Sequence, residues 1–507
     1  MPGQHALMLI RIFTNMLPQL LVCLGCLHPN FAIAQQRDSI DLVDYVAIAL
    51  SESDQVIDLA DQRTLAALDV TVAANRFRPK LVPLANYGIA SGTASQTLGM
   101  EVRSTLTGGS NITLGTYGSR LEDDDYAVAN SHQLRTYVKV SQPLFRRWGE
   151  RYNRYALTRA EKLSHKQILL NEQSRQDIIQ AAIQRFYAVL LGRNQLRLAK
   201  TALERSQRYH AAAIDRQQVG LVSKTDVYRA ELAVLRTEMN VLEQTRSLES
   251  AEEALLEFIS RPAPDELANA IDENIHDFQP VLPEDWKTIL PAQRPEWQAH
   301  LIEQDLLRHA RYRAERDLLP DVSVNLQYEH KGLGNSFDEA RSLDENSWSV
   351  QLQLHSPFDT TEEQAALART RMTQARLIRD GKSLERRIAR EARQALTNLS
   401  ATEQRLGLSH KTLEQAGKAL DLALVRYERG LSDNIDLLDA ETAYASAQSD
   451  IIAQRVAYNL EATRLARALG VLSLEWLQLS ANPDDPHNAQ IESGAADESH
   501  PTRDLAL

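Results

Sequence analysis

One short phrase occurs twice in this chain, and it limits the fold more than any other feature. Residues 220–231 read GLVSKTDVYRAE and residues 430–441 read GLSDNIDLLDAE. Gly220/Gly430, Leu221/Leu431, Asp226/Asp436, Ala230/Ala440 and Glu231/Glu441 are identical across the two copies. Repetition at long range implies that one architecture is built twice. Upstream of the second copy, Leu399, Leu406, Leu413, Leu420 and Tyr427 recur every seven residues, and Thr402, Ser409, Ala416 and Ala423 form a parallel stripe of small residues. A large seam beside a small one predicts a coiled-coil helix packed closely on a neighbour. It extends from about 361 to 428, roughly 100 Å at 1.5 Å per residue. Gly430 and Gly220 follow such helices where a left-handed residue ends them, and Ser223-x-x-Asp226 is a capping-box pattern that starts the next helix. Each phrase is therefore a tight turn between two long antiparallel helices.

Each hairpin is preceded by a pair of alternating segments. RPKLVPLANYG (78–88) corresponds to LPDVSVNLQYE (319–329), and TYVKVSQPLF (136–145) to WSVQLQLHSPF (348–358). Alternation of period two signals strands, over about 79–90, 134–143, 320–330 and 347–357. Each half then reads helix, strand, strand, long helix, turn, long helix. The first half carries about 27 additional residues between its strands, within 91–127. VRSTLTGGSNITLGTYG in that segment has hairpin character at Gly108-Gly109. It reads either as an extension of the strand pair or as an extracellular loop.

The N-terminus has Arg11, then an apolar run ending in Ala32-Ile33-Ala34. This is the pattern of a secretory signal peptide over 1–34, cleaved before Gln35. Cys26 would serve a lipoprotein reading, but Cys23 occupies the place where a leucine is usual. Both cysteines, Cys23 and Cys26, lie in this leader, so the mature chain has no disulfide framework. The formal net charge of −12 argues against nucleic acid as a partner. No later run is apolar enough for a membrane-spanning helix, whereas barrel strands escape hydropathy. The domain reading is a first repeat over 39–265, a Pro- and acid-rich linker over 266–285, a second repeat over 286–472 and a tail without periodicity over 480–507.

Order, spacing and duplication together resemble the TolC-type outer-membrane efflux protein family. SIDLVDYVAIALSES (39–53), RPEWQAHLIEQDLLRHARYRAERDLLPDVSV (294–324), SQPLF (141–145) and the two Gly-Leu turns followed by an aspartate carry the likeness, which covers most of 39–472. The resemblance implies a mostly α fold with a transmembrane β-barrel portion. It implies a homotrimer whose chains each give four strands to a shared twelve-stranded barrel in outer membrane lipid, above a hollow periplasmic cylinder of helices. The implied function is a passive export duct coupled through a periplasmic adaptor to an inner-membrane pump of the RND, ABC or MFS type. Drugs, metal ions and polypeptides all remain open as cargo. A periplasmic adaptor or structural coiled coil would share the leader and helices, but would not need proline-flanked strand pairs running straight into long helices.

Nothing in the sequence points to catalysis, a cofactor or a metal site. There is no G-x-S-x-G, no H-E-x-x-H and no P-loop, and the closest histidines, His300 and His309, are nine residues apart. Asp436 and Asp439 share a helix face. By spacing alone they are a solvated face that also complements the helix dipole. The resemblance places them, with Tyr427, at the constriction of the periplasmic mouth. Asp226 is a cap by spacing and a first-repeat gate residue by resemblance. Gly220, Leu221 and Val222, with Gly430, Leu431 and Ser432, form the tips where an adaptor would dock. Ser432 replaces a basic residue of the family, which removes a closing salt bridge through that position.

Overall fold

The computed structural model describes residues 40–481, apart from 91–92, 124–130, 356–357, 430 and 433 and, between the halves, 264, 266, 268–270, 272–277, 279–289 and 291. The leader with Cys23, Cys26 and its cleavage site, Gly430, most of the 266–285 linker and the tail beyond Ala481 lie outside the described residues.

The chain opens with α1 (Leu42–Glu52) and α2 (Asp54–Ala74). Asp41 caps α1, its carboxylate accepting from the Asp44 amide at 2.7 Å. Four strands follow: β1 (Lys80–Ala90), β2 (Thr93–Thr105), β3 (Asn111–Asp123) and β4 (His132–Pro143). A short turn of helix, α3 (Glu150–Asn153), leads into α4 (Tyr155–Gln218), which reverses into α5 (Lys224–Phe258). The second half runs α6 (Pro295–Asp317), β5 (Asp321–Gly334), α7 (Phe337–Ala340), β6 (Glu345–His355), α8 (Thr361–Glu428) and α9 (Asn434–Leu469). The last element, α10 (Leu474–Ala481), takes up residues 480 and 481 and buries Leu477 completely.

The sheet departs from the expectation of four strands per chain. Among the described residues it has six, in the order β1-β2-β3-β4-β5-β6, antiparallel throughout. The two halves meet at β4 and β5, where Val138 stands opposite Tyr328. The additional residues of the first half form β2 and β3. Thirteen residues per strand and a turn at Gly109, whose φ is +101°, suffice for a full hairpin. β2 alternates polar and apolar side chains from Thr97 to Arg103, and β3 does so from Asn111 to Leu114.

The helices pack as two antiparallel pairs, α4 on α5 and α8 on α9. On α8, Leu399, Thr402, Ala423 and Tyr427 are buried, and Leu406, Leu413, Ala416 and Leu420 are half-buried. The seven-residue seam is therefore the packed face. The largest core surrounds the middle of the bundle, where Tyr45, Phe186, Tyr187 and Phe278 are buried. Phe278 comes from the linker. Its ring lies 6.4 Å from Tyr187 and 5.6 Å from Trp476, and its amide donates to Asn459 Oδ1 at 2.9 Å. Burying such a ring contributes about 1.5–3 kcal/mol, so this residue ties the linker to the bundle.

A polar clasp holds the start of the second half. Arg294, 4% exposed, donates to the Ala468 carbonyl at 2.6 Å, to Glu296 at 2.9 Å and to Glu391 at 3.0 Å. One guanidinium thus joins the head of α6 to α8 and α9. Burial alone would raise the Glu296 carboxyl, but the hydrogen bond and charge of Arg294 hold it below its ordinary range.

Candidate functional site

The two phrases lie at the tips of the two helical hairpins, and the backbone closes both by one device. At the first tip the Leu221 amide donates to the Arg216 carbonyl at 2.8 Å and the Gly220 amide to the Gln217 carbonyl at 3.0 Å. Together these bonds make a Schellman motif. Gly220 has φ +78°, a conformation that costs an L side chain roughly 1–2 kcal/mol. The space around its missing Cβ is open, so the backbone alone requires glycine. At the second tip the Leu431 amide donates to the Arg426 carbonyl, again at 2.8 Å.

The start of the returning helix in the first hairpin is a full capping box. The Asp226 amide donates to Ser223 Oγ at 3.3 Å, and the Ser223 amide donates to Asp226 Oδ2 at 3.0 Å. The Ser223 hydroxyl also donates to that carboxylate, at 2.7 Å. These bonds, the hydroxyl's first, hold the Asp226 carboxyl below its ordinary range despite an opposing desolvation effect. Asp226 is thus occupied at its own helix start.

Asp436 and Asp439 are placed differently. Both are exposed on the first turns of α9, and neither makes an ion pair among the described residues. The buried residue between them is Leu437, which packs with Ala423 and Tyr427. Tyr427 is therefore on the packed side of the tip and the two aspartates on its open side. The resemblance groups these three residues at one constriction; at the tip Tyr427 lies on the packed face and the two aspartates on the open one.

Tyr427 has a partner that sequence reasoning missed. Arg216, from the first hairpin, places its guanidinium carbon 4.1 Å from the centre of the Tyr427 ring and donates to the Tyr427 carbonyl at 2.9 Å. This joins the two tips by a cation–π contact and a charged hydrogen bond. Arg216 precedes Gly220 as Arg426 precedes Gly430. That repetition was the available signal.

A second cross-hairpin contact lies one layer in. Arg205 of α4 is in ion-pair contact with Glu441 of α9, though without hydrogen-bond alignment. Burial pushes the Glu441 carboxyl above its ordinary range, and Arg205 only partly offsets this. Tyr209 stands beside the pair, its phenol raised by burial and by the Glu441 charge. Glu441 was one of the five repeated identities, but spacing gave it no partner.

The tips are apolar at their outermost points. Leu221 is 74% and Leu431 66% exposed, Val222 and Ser432 are half-buried, and Val219 is exposed beside them. Among the described residues no group of acids, histidines or cysteines could hold a metal ion, and no helix is long and apolar enough to cross a membrane.

Known proteins are similar to this chain in sequence and in fold. The chain is 24% identical over 376 residues to the alkaline protease secretion protein AprF of Pseudomonas aeruginosa, covering 72% of this chain and 74% of that one. It is 23% identical over 399 residues to the outer membrane protein TolC of Escherichia coli K12, covering 73% and 79%. In fold it matches the outer membrane protein VceC of Vibrio cholerae with a TM-score of 0.64 at 16% identity, over 85% of this chain and 96% of that one. It matches the open state of the MtrE outer membrane channel of Neisseria gonorrhoeae with a TM-score of 0.65 at 17% identity, over 85% and 90%. The family model for outer membrane efflux proteins matches residues 46–260 and 289–471, which takes in both hairpins and both strand regions. Duplicated hairpins, a shared antiparallel sheet and a family match across both halves lead to one conclusion: this chain belongs to the outer membrane efflux protein family, as a non-enzymatic channel of the outer membrane that extends into the periplasm.

Proposed function

We propose that three copies of this chain close into one duct that receives cargo from an inner-membrane pump through a periplasmic adaptor. The observation that carries the reading is the open edge on each side of the sheet. Among the described residues β1 and β6 each have one unpaired flank, and lipid supplies no hydrogen bonds to an exposed strand edge. With six alternating strands, β6 of one copy runs antiparallel to β1 of the next, so a ring satisfies every edge. The helices support the same assembly. Val72 of α2 and Met239 and Leu242 of α5 are about 70% exposed in the single chain, an apolar surface of the kind that marks an interface. Light scattering in mild detergent tests the assembly. A particle of three chain masses is expected, and a monomer overturns the reading.

The exposed Leu221 and Leu431 support adaptor docking at the tips. The open-faced Asp436 and Asp439 support a gate lined by charge. Three copies would gather six carboxylates around one axis. Two such charges at about 6 Å repel by roughly 2–3 kcal/mol at an effective dielectric near 20. The ring therefore favours cations and takes up divalent or polycationic blockers from the periplasmic side.

A further inference from the structure

The hairpin β2–β3 is the largest feature that the family resemblance leaves unused. The geometry points to a place for it in the membrane wall, so that the barrel of this protein has eighteen strands rather than twelve. This rests on the three-copy reading above. Four observations carry it.

The first is length. β2 and β3 have 13 residues each, more than the 9–11 or so that a tilted strand needs to cross a bilayer. The second is position. The β2–β3 turn lies at the helix end of the sheet, where the Gly149 amide donates to the Gly108 carbonyl at 3.1 Å. Gly109 approaches Asn153 and the Arg147 carbonyl so closely that a Cβ there would lie 2.5 Å and 2.7 Å from them. The hairpin therefore runs the full height of the sheet rather than projecting from its far rim.

The third is facing. Leu98, Met100 and Val102 of β2 and Leu114 of β3 are exposed, and all lie on one face. Leu81 of β1 stands opposite Val102, and Val138 of β4 opposite Leu114. One apolar row, Leu81–Val102–Leu114–Val138, therefore crosses from β1 through the hairpin to β4, with Thr116 and Thr136 paired in the row beside it on the same face, and the partner of this face is lipid acyl chain. The fourth is the opposite face, which is stitched together. The Tyr137 hydroxyl of β4 reaches across β3 to donate to Glu101 of β2, which also accepts from Arg103 Nε at 2.6 Å. Gly115 of β3 makes the crossing possible, since a Cβ there would lie 2.7 Å from the Tyr137 ring. Arg135 of β4 donates to the Tyr117 hydroxyl of β3 at 2.9 Å and to Glu329 of β5 at 2.7 Å. A free loop has no need of such a ladder. Inside a barrel it forms a polar lumenal lining.

Barrel diameter grows about linearly with strand number, so eighteen strands give a bore about 1.5 times as wide as twelve. The extra width belongs to the outer-membrane segment, downstream of the tips.

Adjacent cysteines in the full-length protein test the wall. Thr97→Cys and Leu98→Cys are made singly, purified, labelled with a fluorophore and reconstituted in vesicles. A nitroxide on the lipid acyl chain is expected to quench the label at 98 and leave that at 97 bright. In unlabelled samples, a charged water-soluble maleimide is expected to react at 97 and spare 98. Equal water reactivity at both sites, with neither quenched, makes the hairpin an extracellular loop and overturns the proposal. Light scattering on the same samples reads the copy number. A particle that is not a trimer, with the alternation intact, overturns the three-copy reading and the count of eighteen while leaving the hairpin in the wall. Deleting 93–130 keeps Ser91-Gly92 as the connection and keeps both flanking strands in phase. The shortened chain is expected to close with twelve strands and to exclude polyethylene glycols, added from the outside, at a smaller size. An unchanged cut-off in an assembled trimer contradicts the widening.

Discussion

The two hairpin tips are written in nearly the same words, yet they use their aspartates for different work. In the first, Ser223 sits three residues before Asp226, and the carboxylate is drawn back onto its own helix start. In the second, Asp436 occupies the matching place in the phrase but faces outward, with Asp439 beside it on the same turn of helix. A carboxylate already held by hydrogen bonds adds little to the field outside; an unheld one contributes its whole charge. Duplication supplied two helix starts; at the first, Ser223 holds the carboxylate, while at the second Asp436 is left facing outward.

The largest test of that contrast removes the charge at the second tip. Replacing Asp436 and Asp439 together by Asn keeps size and hydrogen bonding. Bilayer recordings are expected to show divalent block weakened by about tenfold or more, equivalent to at least 1.4 kcal/mol, and reduced cation selectivity. Asp226→Asn is expected to leave both unchanged. Equal effects from the two tips would erase the contrast.

A smaller effect is expected from the turns, which the two tips share. Gly220→Asp forces an L side chain into φ +78°, at roughly 1–2 kcal/mol. Adaptor binding measured with purified proteins is expected to weaken by several-fold, and Gly430→Asp to do the same. A silent Gly220 variant beside a defective Gly430 variant would confine docking to the second tip.

Next comes the cap itself. Asp226→Ala removes half of the capping box and is expected to destabilise the start of α5 by about 1 kcal/mol, read as faster amide exchange over 224–230. Because the Asp226 carboxyl is held below its ordinary range, the folded tip prefers it ionised. Its stabilisation is present above the usual aspartate pKa of about 3.9 and is lost as pH falls through the lowered value. Protection of 224–230 that stays level through that acid range would rule out the cap as its source.

The smallest expected effect concerns the buried Glu441. Its carboxyl is raised in the folded protein, so the folded state holds a proton that the unfolded chain releases first. That contribution is full below the usual glutamate pKa of about 4.3 and disappears as pH rises through the raised value. Local amide exchange around 437–445 is expected to slow on acidification over that interval, and Glu441→Gln to flatten the dependence. An equal slope in the variant would assign it to another group.

Much of this was legible in residues. The seam through Leu399 and Tyr427 marked α8, because a buried stripe at seven-residue spacing has only one face to pack. Ser223-x-x-Asp226 marked the cap of α5, because that bond spans three residues of local chain. Alternation around Pro79, Pro320 and Pro143 marked strands for the same local reason. The extra hairpin was legible only as a choice between wall and loop, since alternation fixes the faces of a strand but not its neighbours. Arg216 and Arg205 could not be assigned partners, because each reaches a residue more than 200 positions away. The linker looked like a separator by composition, yet Phe278 within it is fully buried.

By itself, the sequence determined the elements that local chemistry can specify: two long hairpins, their turn glycines, their capping groups and the alternating faces of the strands. Each rests on a periodicity or on a bond spanning a few residues. Tertiary structure decided what depends on distant groups meeting. It put six strands into one sheet, set Arg216 against the Tyr427 ring, drew Arg294 between three helices and left Asp436 facing outward. Such contacts depend on which surfaces come together once the chain has reversed, and no spacing along the sequence encodes that distance.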